Sequence, residues 1–238
     1  LYRMDKGEIY INNEKVNIRS PRDAINKGIG MVHQHFMLID NHSVLENISL
    51  YLKETPILFP EKKVEEKLLD FFEKYGFYVN HKAKIYELSL GEQQRVEIIK
   101  ILLGGASLII LDEPTSVLTP KEVKDLFNLL RNLVKEGKSV IFITHKLKEV
   151  FDISTRVVVL RQGKKVFEDD IKKTNENELA RHMVEREIKP SMQKKEIKNG
   201  EIILSVKDLF VKNDKGRTVV KGVNFEVKKY EIFGIAGV

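Results

Sequence analysis

An unbroken apolar stretch, Leu108-Ile109-Ile110-Leu111, is followed at once by Asp112, Glu113 and Pro114. Such a run suits a strand buried on both faces in a parallel sheet, and Pro114 stops it. Ser139 to Ile143 reads as a second buried strand, ending in Thr144-His145. Gly30-Met31-Val32 reads as a third that runs on through His33 and Gln34 to His35. Helical spacing fills the intervals. Val64, Leu68, Phe71 and Tyr75 mark a helix over Glu61–Tyr75, closed by Gly76, with an aromatic stripe that is core. Val96, Ile99 and Leu103 continue a face that begins after Ser89, and Val123, Leu126, Leu130 and Leu133 one that begins after Thr119 and runs to Gly137. Ser43–Glu46, Ser89–Glu92 and Thr119–Glu122 have the spacing of capping boxes, and Ser20-Pro21 opens a short helix ending before Gly28.

Alternating patterns predict hairpins over residues 7–18, turned at Asn12-Asn13, and over Arg156 to Phe167, turned at Gln162-Gly163. Residues 172–198 read as helical and then charged, with a linker around Lys189 to Gly200. A new unit begins at Glu201. It shows strands at Ile202–Val206 and, after the turn Asp214-Lys215-Gly216, at Val219–Val227. A last strand, Ile232 to Gly237, ends in glycine as a strand does before a phosphate-binding loop.

Composition narrows the class. The 238 residues are 42% hydrophobic and 32% charged, which describes a soluble globular protein. With no Cys, disulfides and thiolate metal sites are excluded and a reducing compartment fits. No run reaches the ~18 apolar residues of a membrane span. The net charge of +6 is scattered among Asp and Glu and reads as solvated surface rather than a nucleic-acid stripe. The opening Leu1 and the apolar stop at Gly234–Val238 both read as cut ends.

Candidate chemistry gathers where strands end. In open α/β sheets the ligand crevice lies at the carboxyl ends of the strands. An acid pair there, Asp112-Glu113, suits a magnesium nucleotide, one carboxylate toward the metal and the next toward the attacking water. The plain alternative is a strand followed by a turn. Gln34 could reach a metal or water, or make a loop hydrogen bond; His145 could be a structural group. Gly91 in a first helical turn costs about 1 kcal/mol relative to Ala and is unnecessary for capping. It does let backbone N–H groups approach an anion.

In order along the chain, Gln34, Leu88-Ser89-Leu90-Gly91-Glu92-Gln93, Ile109 to Glu113, Ser116 to Thr119 and His145 resemble the glutamine loop, signature, Walker B, D-loop and switch histidine of ABC-type ATPases. Gly30-Met31-Val32-His33-Gln34-His35-Phe36 and the restart near residue 201 resemble the fused two-domain ATPases of sugar and nucleoside importers, the nucleoside branch most closely. The resemblance implies an α/β, P-loop NTPase-like domain with a mostly parallel core sheet, an antiparallel β subdomain and a helical subdomain. It implies a first ATPase domain over 1–188, a linker over 189–200 and the start of a second domain over 201–238. In the family the first phosphate loop lies before the position of Leu1, and Gly237 would be the first glycine of the second, so the isolated stretch is expected to bind ATP weakly. Leu90 and Tyr230 stand where the family more often has Gly.

The implied roles follow residue by residue. Asp112 and Gln34 would hold Mg²⁺, Glu113 would polarise the attacking water, and His145 would contact the γ-phosphate of ATP. Gln34 would also face the permease. Ser89, Leu90, Gly91 and Glu92 would close on the ATP of the opposite site. Implied partners are the paired ABC domain of the same chain, transmembrane permease subunits and, through them, an extracytoplasmic solute-binding protein, at the cytoplasmic face of the membrane. The other class with these motifs, soluble ATPases acting on nucleic acid or ribosomes, usually carries a long coiled coil or charged helical linker. Neither pattern occurs here, and no nucleic acid is expected.

Overall fold

A computed structural model describes residues 4–52, 60–184, 200–212 and 218–235, in two compact units, Leu1–Glu187 and Ile188–Val238. The first opens with an antiparallel hairpin, β1 (Ile9–Ile11) and β2 (Glu14–Val16). Asn12 and Asn13 make its turn at φ 51° and 64°, the left-handed pair of a type I′ connection. Helix α1 (Pro21–Asn26) follows, with the Ser20 hydroxyl accepting the Asp23 N–H at 3.2 Å.

The centre is a parallel sheet of β3 (Ile29–Val32), β4 (Leu108–Asp112) and β5 (Ser139–Ile143), with β4 in the middle. Its register pairs Val32 with Leu111 and Asp112 with Ile143. Around it lie α2 (Val44–Tyr51), α3 (Pro60–Tyr75), α4 (Leu90–Leu103), α5 (Pro120–Lys135) and α6 (Leu147–Ile153). All three expected capping boxes form, at Ser43, Ser89 and Thr119. One core joins the fully buried Ile109 and Leu111 to Leu68, Ile99, Leu126 and Leu130. Phe127 of α5 meets Phe142 of β5 edge-on at 5.7 Å between ring centres.

Two strand expectations need correction. β4 and β5 are not buried on both faces: the positions alternating with Ile109 and Leu111 leave Met31, Ile141 and Ile143 36%, 46% and 44% exposed. The buried side chains of α2, α3, α4 and α5 pack with Ile109 and Leu111 on one face of this sheet, and among the described residues the other lacks an equivalent cover. β3 also stops at Val32 rather than His35, because the backbone of Met37 bonds to side chains of α4 instead of continuing the ladder.

The unit ends with the antiparallel pair β6 (Arg156–Arg161) and β7 (Lys164–Asp170), turned at Gln162-Gly163, and with α7 (Glu176–Met183). Leu179 of α7 packs with Val150 and Val159 in a smaller core. Between 172 and 184 only this helix and the end of a short 3₁₀ turn (Ile171–Lys173) are helical.

The second unit is a hairpin of β8 (Ile202–Lys212) and β9 (Thr218–Lys228), with β8 running well past the expected Val206. Residues 231–235 form no strand, contrary to expectation. A parallel strand needs a hydrogen-bonded neighbour reached by a crossover, and among the described residues of this unit there is only the hairpin. Of the linker expected over 189–200 all but Gly200, together with the turn Asp214–Gly216 and the closing Ala236-Gly237, lie outside the described residues.

Candidate active site at the carboxyl edge of the sheet

Parallel strands end together, and that topology assembles the site. Val32 is level with Leu111, so Gln34, two residues on, leaves β3 at the same edge where Asp112 and Glu113 leave β4. His145 leaves β5 two residues after Ile143, which pairs with Asp112. The structure therefore brings Gln34, Asp112, Glu113 and His145 to one edge. Gln34 is exposed in a bend, and Asp112 is half-buried as the last residue of β4.

Glu113 is held most closely. Its φ of 48° lies in the left-handed region that side-chain-bearing residues seldom adopt. The Glu113 N–H donates to the Ile143 carbonyl at 2.9 Å, which fixes this conformation against β5. Its Oε1 accepts the backbone N–H of His145 at 3.1 Å and meets His145 Nδ1 at 2.7 Å. An ionised carboxylate only accepts, so Nδ1 carries the proton in this contact and the Nε2 edge of the ring is left for another partner. The His145 side chain is 73% exposed and that of Glu113 16%. Glu113 Oε2 is buried and lacks a hydrogen-bond partner among the described residues. Leaving such an atom unsatisfied costs about 1–3 kcal/mol, and strain together with an orphaned acceptor is the mark of a functional group.

A network missed in the sequence braces this edge. Thr115, almost fully buried, donates its hydroxyl to Glu149 Oε2 at 2.6 Å. Lys146 Nζ donates to the Thr115 carbonyl and Oγ1, both at 3.1 Å, and pairs with Glu149 Oε1 at 3.3 Å. The residue after His145 is thus tied to the turn after Glu113. The only sequence signal was a Lys and a Glu three apart at a helix start, which reads as surface.

The start of α4 is a separate feature. Ser89 donates its hydroxyl to Glu92 Oε2 at 2.8 Å, and the Ser89 N–H donates to the same carboxylate. Leu90 and Gly91 then carry the N–H groups that the box does not use, and the Leu90 side chain is 54% exposed. Gly91 has a packing reason as well: a Cβ there would stand 2.5 Å from Glu122 Oε1. Burial pushes the Glu122 carboxyl up, but hydrogen bonds from the Thr119 N–H and hydroxyl, with Arg95 nearby, outweigh it and hold the group below its ordinary value. Two carboxylates, Glu92 and Glu122, therefore stand at this helix end, and an incoming phosphate would compete with them.

The described residues contain no cluster of three or more His, Asp or Glu able to cage a metal. Asp112 and Gln34, which leave neighbouring strands at the same edge, offer a carboxylate and an amide, in keeping with the way Mg²⁺ is usually held, by one or two carboxylates plus waters and substrate phosphates.

Residues 1–116 match the ABC transporter family. The chain is 42% identical over its whole length to the nucleoside import ATP-binding protein NupA of Lactococcus lactis, covering 47% of it. It is 45% identical to the guanosine import ATP-binding protein NupO of Bacillus subtilis, again covering all of this chain and 47% of that one. The chain spans about half the length of the curated relatives it matches. A dimeric ATP-binding cassette solved in a post-hydrolysis state with ADP and Pi superposes with a TM-score of 0.59 at 28% identity, over 71% of this chain and 75% of that one. A dimeric bacterial ABC transporter cassette does so at 0.62 and 26%, with the same coverage.

Proposed function

We propose that this chain, whose residues 1–116 match the ABC transporter family, forms part of an ATP-hydrolysing subunit that drives import of a small solute, of the sugar or nucleoside class, through a membrane permease. The observation that carries the reading is Glu113, with Oε1 taken by His145 and Oε2 buried and unpartnered at the sheet edge. In ATP hydrolysis the protein chiefly positions groups and stabilises charge. Glu113 Oε2 accepts a proton of the attacking water and orients it. His145, steered by its Nδ1 contact to Glu113, would reach the γ-phosphate with its other ring edge, which donates there only when Nε2 carries a proton as well. Asp112 and Gln34 would hold Mg²⁺, which supplies charge neutralisation on the phosphates when bound. The first turn of α4, from Ser89 to Glu92, engages the ATP of a paired domain, and the Ser89 hydroxyl must leave Glu92 to do so.

Closure with ATP and opening after hydrolysis would switch the permease between its two access states. The relatives' names place them in nucleoside and guanosine import, which supports the solute class. Among the described residues no helix is long and apolar enough to cross a membrane. In this reading the path for the solute belongs to permease subunits, at which the chain docks peripherally on the cytoplasmic side. Met37 and Ile39, which follow Gln34 in the chain, and Leu50 of α2 are exposed apolar side chains suited to that docking. Photocrosslinkers placed at these three positions in the full-length protein in cells should capture a membrane protein. Capture chiefly of ribosomal proteins would replace this reading with a soluble ABC ATPase.

A further inference from the structure

Glu97 and Lys100 form an ion pair inside the molecule, Nζ to Oε2 at 2.7 Å, with side chains 4% and 8% exposed. The pair reaches beyond its helix to one residue 60 positions away. Glu97 Oε1 accepts the Met37 N–H at 2.7 Å, and Lys100 Nζ donates to the Met37 carbonyl at 3.2 Å. Two residues on, the buried Asn47 of α2 accepts the Ile39 N–H at 2.8 Å and donates to the Ile39 carbonyl at 3.1 Å. Loop backbone is here fixed by buried side chains while the Met37 side chain stays 69% exposed.

Stability alone does not account for such a pair. Well-packed apolar residues of similar size often serve as well, because desolvating two charges offsets their attraction. What the pair adds is position. Val32 belongs to the sheet and Met37 to α4, so His33 to Phe36, Gln34 among them, form the joint between the two. At its other end α4 rests on the sheet: a Cβ on Gly30 would stand 2.9 Å from the Ile101 Cβ, so only Gly allows this approach. With Ile101 as pivot and 1.5 Å of rise per residue, Glu97 lies about 6 Å along the lever and Ser89 about 18 Å. A swing of about 3 Å at Ser89 would move Met37 by about 1 Å.

We propose that Glu97 and Lys100 are positioning residues that make the joint carrying Gln34 follow the helix that begins at Ser89. ATP captured at Ser89 is thereby reported to Gln34 through α4 rather than through the sheet. The inference rests on the proposed function, and it adds the mechanical link between two sites that the structure otherwise keeps apart.

The test uses the full-length protein with Glu113→Gln to hold ATP and an environment-sensitive fluorophore on Met37→Cys. Two neutral variants are compared. Glu97→Leu/Lys100→Met removes both tethers and keeps the volume, whereas Glu97→Gln/Lys100→Met keeps an acceptor for the Met37 N–H. ATP should shift the label's emission in the unaltered pair and in the Gln variant, and the shift should be lost in the Leu variant at equal occupancy by a fluorescent ATP analogue. An equal shift in all three overturns the link. Amide exchange of the unaltered protein gives a second reading that needs no variant: residues 36–39 should gain protection with ATP in parallel with 90–95. Protection of 90–95 with 36–39 unmoved overturns the link alone. No protection at 90–95 removes the proposed function and the link together.

Discussion

Gly91→Ala separates two reasons for one glycine. The added Cβ would stand 2.5 Å from Glu122 Oε1 and 2.9 Å from its Cδ and Oε2, so the carboxylate has to move. It is not free to do so, because Oε2 accepts from the Thr119 N–H at 2.9 Å and from the Thr119 hydroxyl at 2.8 Å. Arg95 adds a 3.5 Å contact to Oε1. Replacing Gly by Ala within a helix is worth up to about 1 kcal/mol in favour of folding. Losing the cap costs about 1 kcal/mol, and loosening hydrogen bonds to a half-buried carboxylate a further ~1.5 kcal/mol. Gly91→Ala should therefore destabilise the protein by about 1–2 kcal/mol. In the background of Glu122→Ala the clash is absent, and the same change should be neutral or slightly stabilising. Urea denaturation of the four proteins in the cycle measures the coupling. Additive effects would show that Glu122 does not confine Gly91. The double variant also tests function: if packing is the whole reason for the glycine, ATP-driven closure of the double variant matches that of Glu122→Ala alone, and if phosphate approach is a reason too, closure falls below it.

Two further outcomes follow from the bracing of the site. Lys146→Met cuts the tie between the residue after His145 and the Thr115 turn, so it should lower kcat of the full-length protein by about 10- to 100-fold with ATP affinity little changed, in steady-state hydrolysis beside an ATP titration. A parallel loss of affinity would count against a positioning role. Glu122, held below its ordinary value of 4.5, contributes stability that is fully present above that value and lost as pH falls through its lower folded-state value. The stability difference between the unaltered protein and Glu122→Gln should be constant near neutral pH and shrink in acid; a difference that grows in acid would reverse the assigned direction.

Local chemistry made much of this legible. Ser43, Ser89 and Thr119 each have Glu three residues on, and each forms its capping box, because such caps depend on neighbours within one turn. The Asn12-Asn13 and Gln162-Gly163 turns were equally local. The edges of the sheet were less so. The apolar run of β5 reads the same whether one face or both are covered, since periodicity carries no information on how many layers surround a strand. At the site, residue types and order pointed to Asp112, Glu113, Gln34 and His145, and parallel topology explains why they reach one edge. The direct Glu113–His145 contact, the Thr115–Lys146–Glu149 brace and the grip of Glu97 and Lys100 on Met37 join positions 31 to 63 residues apart or depend on burial. No spacing rule reaches that far.

The central claim is that Glu113 is the carboxylate that activates water. It is tested most directly by single-turnover hydrolysis of ATP by the full-length protein bearing Glu113→Gln, with nucleotide occupancy measured in the same sample. Gln keeps the shape and an acceptor toward His145 but removes the charge that draws a proton from water, and loss of a positioned base typically costs about 10²–10⁴ in rate. The account predicts a loss of that size at the site Glu113 serves, with ATP retained and the paired domains held closed. Hydrolysis at the unaltered rate with that site occupied would contradict it, and would leave Glu113 as a strained turn residue at the end of a strand.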